Sequence, residues 1–122
     1  MPKSVAKIVW LDAPEDHNYP AAVDYLSLLH GPDHAAELGA RLRAAEVVVH
    51  KAKDIFRASG LSLLGVSNSH VAKDQRKIDK GIALSPILLV RGDGRLVIAD
   101  GYHRLCAVYA LDEDALIPCK IV

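Results

Sequence analysis

Asp93-Gly94 stands between two short apolar runs, Ile87 to Val90 and Leu96 to Ala99, and this arrangement constrains the fold more tightly than any other feature of the chain. An Asp-Gly pair supplies the backbone conformations of tight hairpins, so Arg91-Gly92-Asp93-Gly94 predicts a turn joining two neighbouring antiparallel strands. Ile87-Leu88-Leu89-Val90, introduced by Pro86, shows no polar alternation and predicts a buried strand. Only Asp100 then separates the second strand from a helix over Gly101 to Leu111, with Leu105, Val108 and Leu111 inward. A last strand is expected over Ile117 to Val122. Pro118 has no N–H to give, which places the first residues of that strand at an edge.

Upstream, Ala6 to Leu11 is short and apolar and predicts a strand, and Asp12 to Asn18, with Pro14, predicts a loop. Tyr19 to Leu29 sets Val23, Leu26 and Leu29 on one helical face, with Pro20 tolerated in the first turn. His30-Gly31-Pro32-Asp33 breaks that helix, and Asp33 is the expected cap of the next. From Leu38 to Phe56 the apolar spacing admits one helix as far as Ala58. The β-branched run Val47-Val48-Val49 argues instead for a helix ending near Ala45, a strand over Glu46 to Lys51 and a helical turn over Asp54 to Ser59, closed by Gly60. Leu61 to Ser67 is a connector. Ser67, Asn68 and Ser69 are capping candidates for a helix over His70 to Lys80, with Gly81 at its end. The result is an α+β chain of short elements.

With 122 residues, 51% of them apolar, the chain has enough material for a single core. Fifteen basic and fifteen acidic residues cancel, and the missing basic excess argues against stand-alone DNA binding. No apolar run reaches the roughly 20 residues that cross a bilayer, so no membrane partner is expected. Met1 to Val5 lacks a signal-peptide pattern, and two cysteines are too few for a disulfide scaffold. A reduced, cytoplasmic protein is the expectation.

Asp100-Gly101-Tyr102-His103-Arg104 carries the chemistry. A helix N-terminus offers unpaired N–H groups and the positive end of the helix dipole, which suits an anion. Gly101 admits close backbone approach, and His103 and Arg104 fall in the first helical turn. Cations there oppose the dipole unless an anion compensates them. A phosphate would, gripped by the Arg104 fork, with His103 donating a hydrogen bond or moving a proton. The competing reading is a solvated corner. Asp100 itself reads as a simple helix cap.

From Val47 to Val122 the order of pieces resembles the ParB/sulfiredoxin superfamily core. A strand leads to Lys53-Asp54-Ile55. Ser67-Asn68-Ser69-His70 stands where ParB domains carry an Asn-Pro-Arg-like element. Leu84 to Val90 is similar to the family's Pro-Ile-Leu-Val-like strand, Ile98 to Ala107 resembles its Gly-x-Arg-Arg and Gly-Cys-His-Arg boxes, and Ile117 to Val122 its closing strand. The resemblance implies a small mixed sheet with packed helices as the core over residues 46–122. Residues 1–45 lie outside it and read as an N-terminal helical extension packed on that core, within the one domain over residues 1–122 that the length allows. The resemblance also implies a nucleoside di- or triphosphate (ATP, ADP or CTP) with magnesium, contacted by Asn68, His70, Lys73, Gly101, Tyr102, His103 and Arg104. Asp100 and His103 become the catalytic candidates.

Departures from the family narrow the chemistry. Tyr102 stands where sulfiredoxin needs its nucleophilic cysteine, so phosphinate chemistry is not expected. The sequence to Val122 ends with the resemblance's last strand and shows no helix-turn-helix of a full partition protein, so partition activity by this chain alone is not expected. Asp100 does fit the acid of the family's free-serine kinases, which implies a carboxylate that accepts a hydroxyl proton or helps hold magnesium, with the helix cap as the other reading. The leading reading is therefore a nucleotide-binding domain that hydrolyses nucleotide or passes phosphate to a small acceptor. The alternative is a non-enzymatic module in which nucleotide controls association with a partner protein or DNA.

Other features have plainer readings. Lys73, Arg76, Lys77 and Lys80 share a helical face that either meets phosphates or is solvated, and Lys51, Lys53 and Asp54 divide the same way. His30 and His34 lack a third ligand, so no protein metal site is expected. Cys106 and Cys119 read as small core residues. Trp10, Tyr19 and Tyr25 are expected to pack the extension onto the core.

Overall fold

The computed structural model describes residues 7–63 and 68–122; Ala6 and the capping candidate Ser67 lie outside the described residues. In chain order the elements are α1 (Asn18–His30), α2 (Pro32–Ala44), β1 (Val48–Lys51), α3 (Ala52–Ser59), α4 (Ser69–Asp79), β2 (Ile87–Arg91), β3 (Leu96–Asp100), α5 (Tyr102–Leu111) and β4 (Leu116–Ile121). The fold is mixed α+β, with the strands in the order β1-β4-β2-β3. β2 runs antiparallel to β3 and parallel to β4, and β4 runs antiparallel to β1.

The expected hairpin is the centre of this arrangement. Gly92 N–H donates to the Arg95 carbonyl at 2.9 Å, and Gly94 turns the chain at φ +80°. Side chains alternate along β2, so Ile87 and Leu89 enter one apolar cluster while Leu88 and Val90 enter the other. All four are buried because both faces of the sheet carry helices. On one face, α1 and α2 bury Tyr19, Ala22, Leu26, Leu38 and Leu42 against Leu88, Val90 and Ala99. On the other, α3, α4 and α5 bury Ile55, Val71, Ile78, Leu105 and Val108 against Ile87, Leu89, Ile98 and Ile117.

Within the segment expected as an extension, α1 and α2 thus supply a layer of helices on one face of the sheet. Polar contacts fasten that layer. Lys120 on β4 is 7% exposed, and its Nζ donates to the Arg43 carbonyl at 2.9 Å, at the α2 C-terminus. The same ammonium lies 5.3 Å from the centroid of the Tyr19 ring, and the Arg43 guanidinium lies 4.4 Å from it. At the other end, the buried Ser85 hydroxyl donates to Asn18 Oδ1 and accepts from Glu15 N–H at 3.0 Å.

Several local expectations change. Among the described residues of the first expected strand, only Trp10 pairs, in an isolated parallel bridge with Leu84. Gly31 caps α2 with Pro32 in its first turn, which leaves Asp33 inside the helix. Leu29 and Leu111 are exposed, since each sits at a helix end beyond the layer it was expected to cover. Tyr19 packs the helical layer as expected, whereas Tyr25 is 45% exposed. β4 lies inside the sheet. Its first residues, Leu116 to Pro118, nevertheless pair with β1 alone, and β2 joins at Cys119, which is where a proline is tolerated.

Candidate functional site

The β3–α5 junction is built around Gly101, which caps α5 at φ +107° and ψ 18°. A methyl group there would lie 2.8 Å from Arg104 Nη2 and closer still to Ile87 Cγ2. Both the backbone angle and the space therefore demand glycine. One residue earlier the β2–β3 ladder slips: Leu88 pairs with Asp100 and Leu89 with Ile98, so Ala99 is the extra residue of a bulge. Such a bulge re-aims the side chains that follow it.

Asp100 does not cap α5, which has no side-chain cap. Its Oδ2 instead accepts from Arg104 Nη2 at 2.7 Å, and the two side chains are only 20% and 15% exposed. The anion that compensates Arg104 in the first helical turn is thus a residue of the chain itself. Arg104 Nε is buried without a hydrogen-bond partner among the described residues, so the guanidinium retains an unused donor.

α4 brings its own N-terminus to the same place. Asn68 Oδ1 accepts from the backbone N–H of His70 at 2.9 Å and of Val71 at 3.3 Å, an N-cap that confirms one of the three capping candidates. Val71 and Ile78 anchor α4 in the core, and Gln75 Nε2 reaches the Ala107 carbonyl of α5 at 3.5 Å. The His70 and His103 rings then stand 4.8 Å apart, with Tyr102 beside His103 at 5.8 Å. The Tyr102 hydroxyl donates to the Ser62 carbonyl. Burial pushes the Tyr102 phenol above its ordinary range, with Cys106 adding to the shift.

Asp74, Asp100, Gly101, Tyr102, His103 and Arg104 line a polar cleft of about 170 Å³. A second opening of about 480 Å³ shares Asp100 to His103 and extends to Tyr25 and Leu61. The cleft therefore holds two carboxylates and one guanidinium, and a bare phosphate would face both carboxylates. A phosphate accompanied by a divalent cation suits that donor set better, because magnesium binds through one or two carboxylates together with phosphate oxygens.

Of the residues expected from sequence, Asp100, Gly101, Tyr102, His103, Arg104 and His70 come together here. Asn68 is spent on its cap. Lys73 is exposed and does not line the cleft, which takes Asp74 from α4. Asp74 was missed, although it lies one helical turn after His70 on the same face. Lys53 pairs with Asp114 at 2.7 Å, and Asp54 lines a separate opening with His50 and Arg91. Among the described residues no three His, Cys, Asp or Glu side chains gather to hold a metal, and no helix is long and apolar enough to cross a membrane. Comparison with family models, curated proteins and solved structures gives no match for this chain.

Proposed function

We propose that the chain is a ParB/sulfiredoxin-like domain that binds a nucleoside di- or triphosphate with magnesium where the N-termini of α4 and α5 meet. The observation that carries this reading is one cleft lined by the first turn of α5 and by Asp74 of α4, holding a guanidinium with a buried unused donor and His103, whose ring lies 4.8 Å from that of His70. The positive dipole end of α5, which no side chain caps, favours an anion at that point, whereas the His70 and Val71 N–H groups of α4 are taken by Asn68. Magnesium bound with the phosphates supplies charge neutralisation, and Asp74 would hold it.

In the enzymatic form of this reading, Arg104 turns from Asp100 to the phosphate and leaves the carboxylate free. Asp100 then takes the proton of water or of a small acceptor's hydroxyl. The acceptor oxygen bonds the terminal phosphorus, and the bond from phosphorus to the bridging oxygen breaks. His103 donates a hydrogen bond to the departing phosphate. The second reading, a nucleotide-regulated module that associates with a partner protein or DNA, is favoured by one observation: the closed Asp100–Arg104 pair occupies the carboxylate that catalysis needs.

Calorimetric titration and thermal shift against ATP, ADP, CTP and GTP, with and without magnesium, test the proposal. The expected result is saturable binding of at least one nucleotide, strengthened by magnesium. Binding of none would refute it. Turnover of the bound nucleotide, alone or with hydroxyl acceptors, separates the enzyme from the module.

A further inference from the structure

We infer that the groove between α1 and the β3–α5 junction is the seat of a planar heteroaromatic ring, the base of the nucleotide, with Tyr25 as its stacking surface. This inference rests on the phosphate site proposed above and extends it to the other end of the ligand. A cleft of about 170 Å³ is too small for a whole nucleotide, since small-molecule sites usually span roughly 300–1,000 Å³. The body of the ligand must lie in an adjoining space. The groove of about 480 Å³ adjoins the cleft along four shared residues, Asp100, Gly101, Tyr102 and His103.

The chemistry changes along this path. Among the described residues, the groove beyond the shared segment is walled by Ala21, Tyr25, Leu61, Ile98 and Ala99, with no charged side chain. That lining rejects further phosphate and accepts a flat, uncharged ring. Tyr25 is 45% exposed on α1 while Ala22 and Leu26 of the same helix are fully buried, so its ring is presented without being needed for the core. Rigid aromatic side chains of this kind stack bases at low entropic cost. The helix α1 would then take part in recognition as well as in packing.

The test is calorimetric titration of the full chain and of Tyr25→Ala, Tyr25→Phe and Arg104→Ala. The probes are ATP, ADP and CTP with magnesium, inorganic tripolyphosphate with magnesium, and adenosine and cytidine. Tyr25→Ala is expected to weaken nucleotide binding roughly ten-fold and to leave tripolyphosphate unchanged, with Tyr25→Phe close to the parent. Arg104→Ala is expected to weaken both nucleotide and tripolyphosphate. Equal nucleotide affinity for Tyr25→Ala and the parent overturns the ring site and leaves the phosphate site standing. Nucleoside binding that depends on Tyr25 but not on Arg104 keeps the ring site and overturns the phosphate reading. Binding of none of these probes overturns both.

Discussion

Arg104 Nη2 donates to Asp100 Oδ2 at 2.7 Å, so the first helical turn of α5 holds its guanidinium against the last residue of β3. The pair is largely buried, and Arg104 Nε beside it has no partner among the described residues. In the proposed reading the carboxylate gates the guanidinium and accepts the acceptor's proton. Asp100→Asn keeps an oxygen acceptor but strands the positive charge. A loss of roughly 1–2 kcal/mol is expected, read from urea unfolding. Nucleotide affinity is expected to rise as any turnover disappears. Unchanged stability would show that the pair contributes nothing.

Gly101→Ala is expected to be more damaging, because φ +107° is strained for any side chain and a Cβ would strike Ile87. Overpacking and backbone strain together should cost about 2–4 kcal/mol. Thermal denaturation measures this directly, and a melting temperature within a degree of the parent would contradict the geometry.

Leu26→Ala tests whether the layer formed by α1 and α2 belongs to the same cooperative unit as the sheet. Leu26 is fully buried among Leu88, Val90 and Ala99, and its truncation should cost about 2–4 kcal/mol. One urea transition, shifted as a whole by fluorescence and circular dichroism alike, is the expected outcome. Two separated transitions would mean that α1 and α2 fold independently.

Reading the fold from sequence works where the signal is local. Asp93-Gly94 and the unbroken Ile87 to Val90 run identify the hairpin because turn chemistry and burial on both faces act within a few residues. Asn68 as a cap follows from the same kind of local hydrogen bonding. The edges of the elements are less legible. Val47 to Val49 are exposed, so β1 carries no burial pattern that marks its start, and it begins at Val48. Placing β4 between β1 and β2 depends on pairings distant in sequence. At the site, the Asp100–Arg104 spacing of one helical turn was visible, but a cap and an ion pair use the same carboxylate. The His70–His103 contact and the walls contributed by Tyr25 and Leu61 arise only from tertiary packing.

Cys119 gives a pH signature. Burial pushes its thiol from the ordinary 9.0 up to about 11. The folded state therefore holds the proton more tightly than the unfolded chain, and stability is expected to fall as pH rises from 9 towards 11. Denaturant midpoints across that window measure the decline, and Cys119→Ala should flatten it. An equally steep decline in the variant would assign the effect to other groups.

Arg104→Ala tests the central claim most directly. The measurement is calorimetric titration of the folded variant beside the parent, with whichever of ATP, ADP, CTP or GTP the parent binds most tightly in the presence of magnesium. Removing a charge-assisted contact worth roughly 1.5–3 kcal/mol should weaken binding about ten- to a hundred-fold while circular dichroism stays that of the parent. Equal affinity in the two proteins would contradict a phosphate site at the α4–α5 junction.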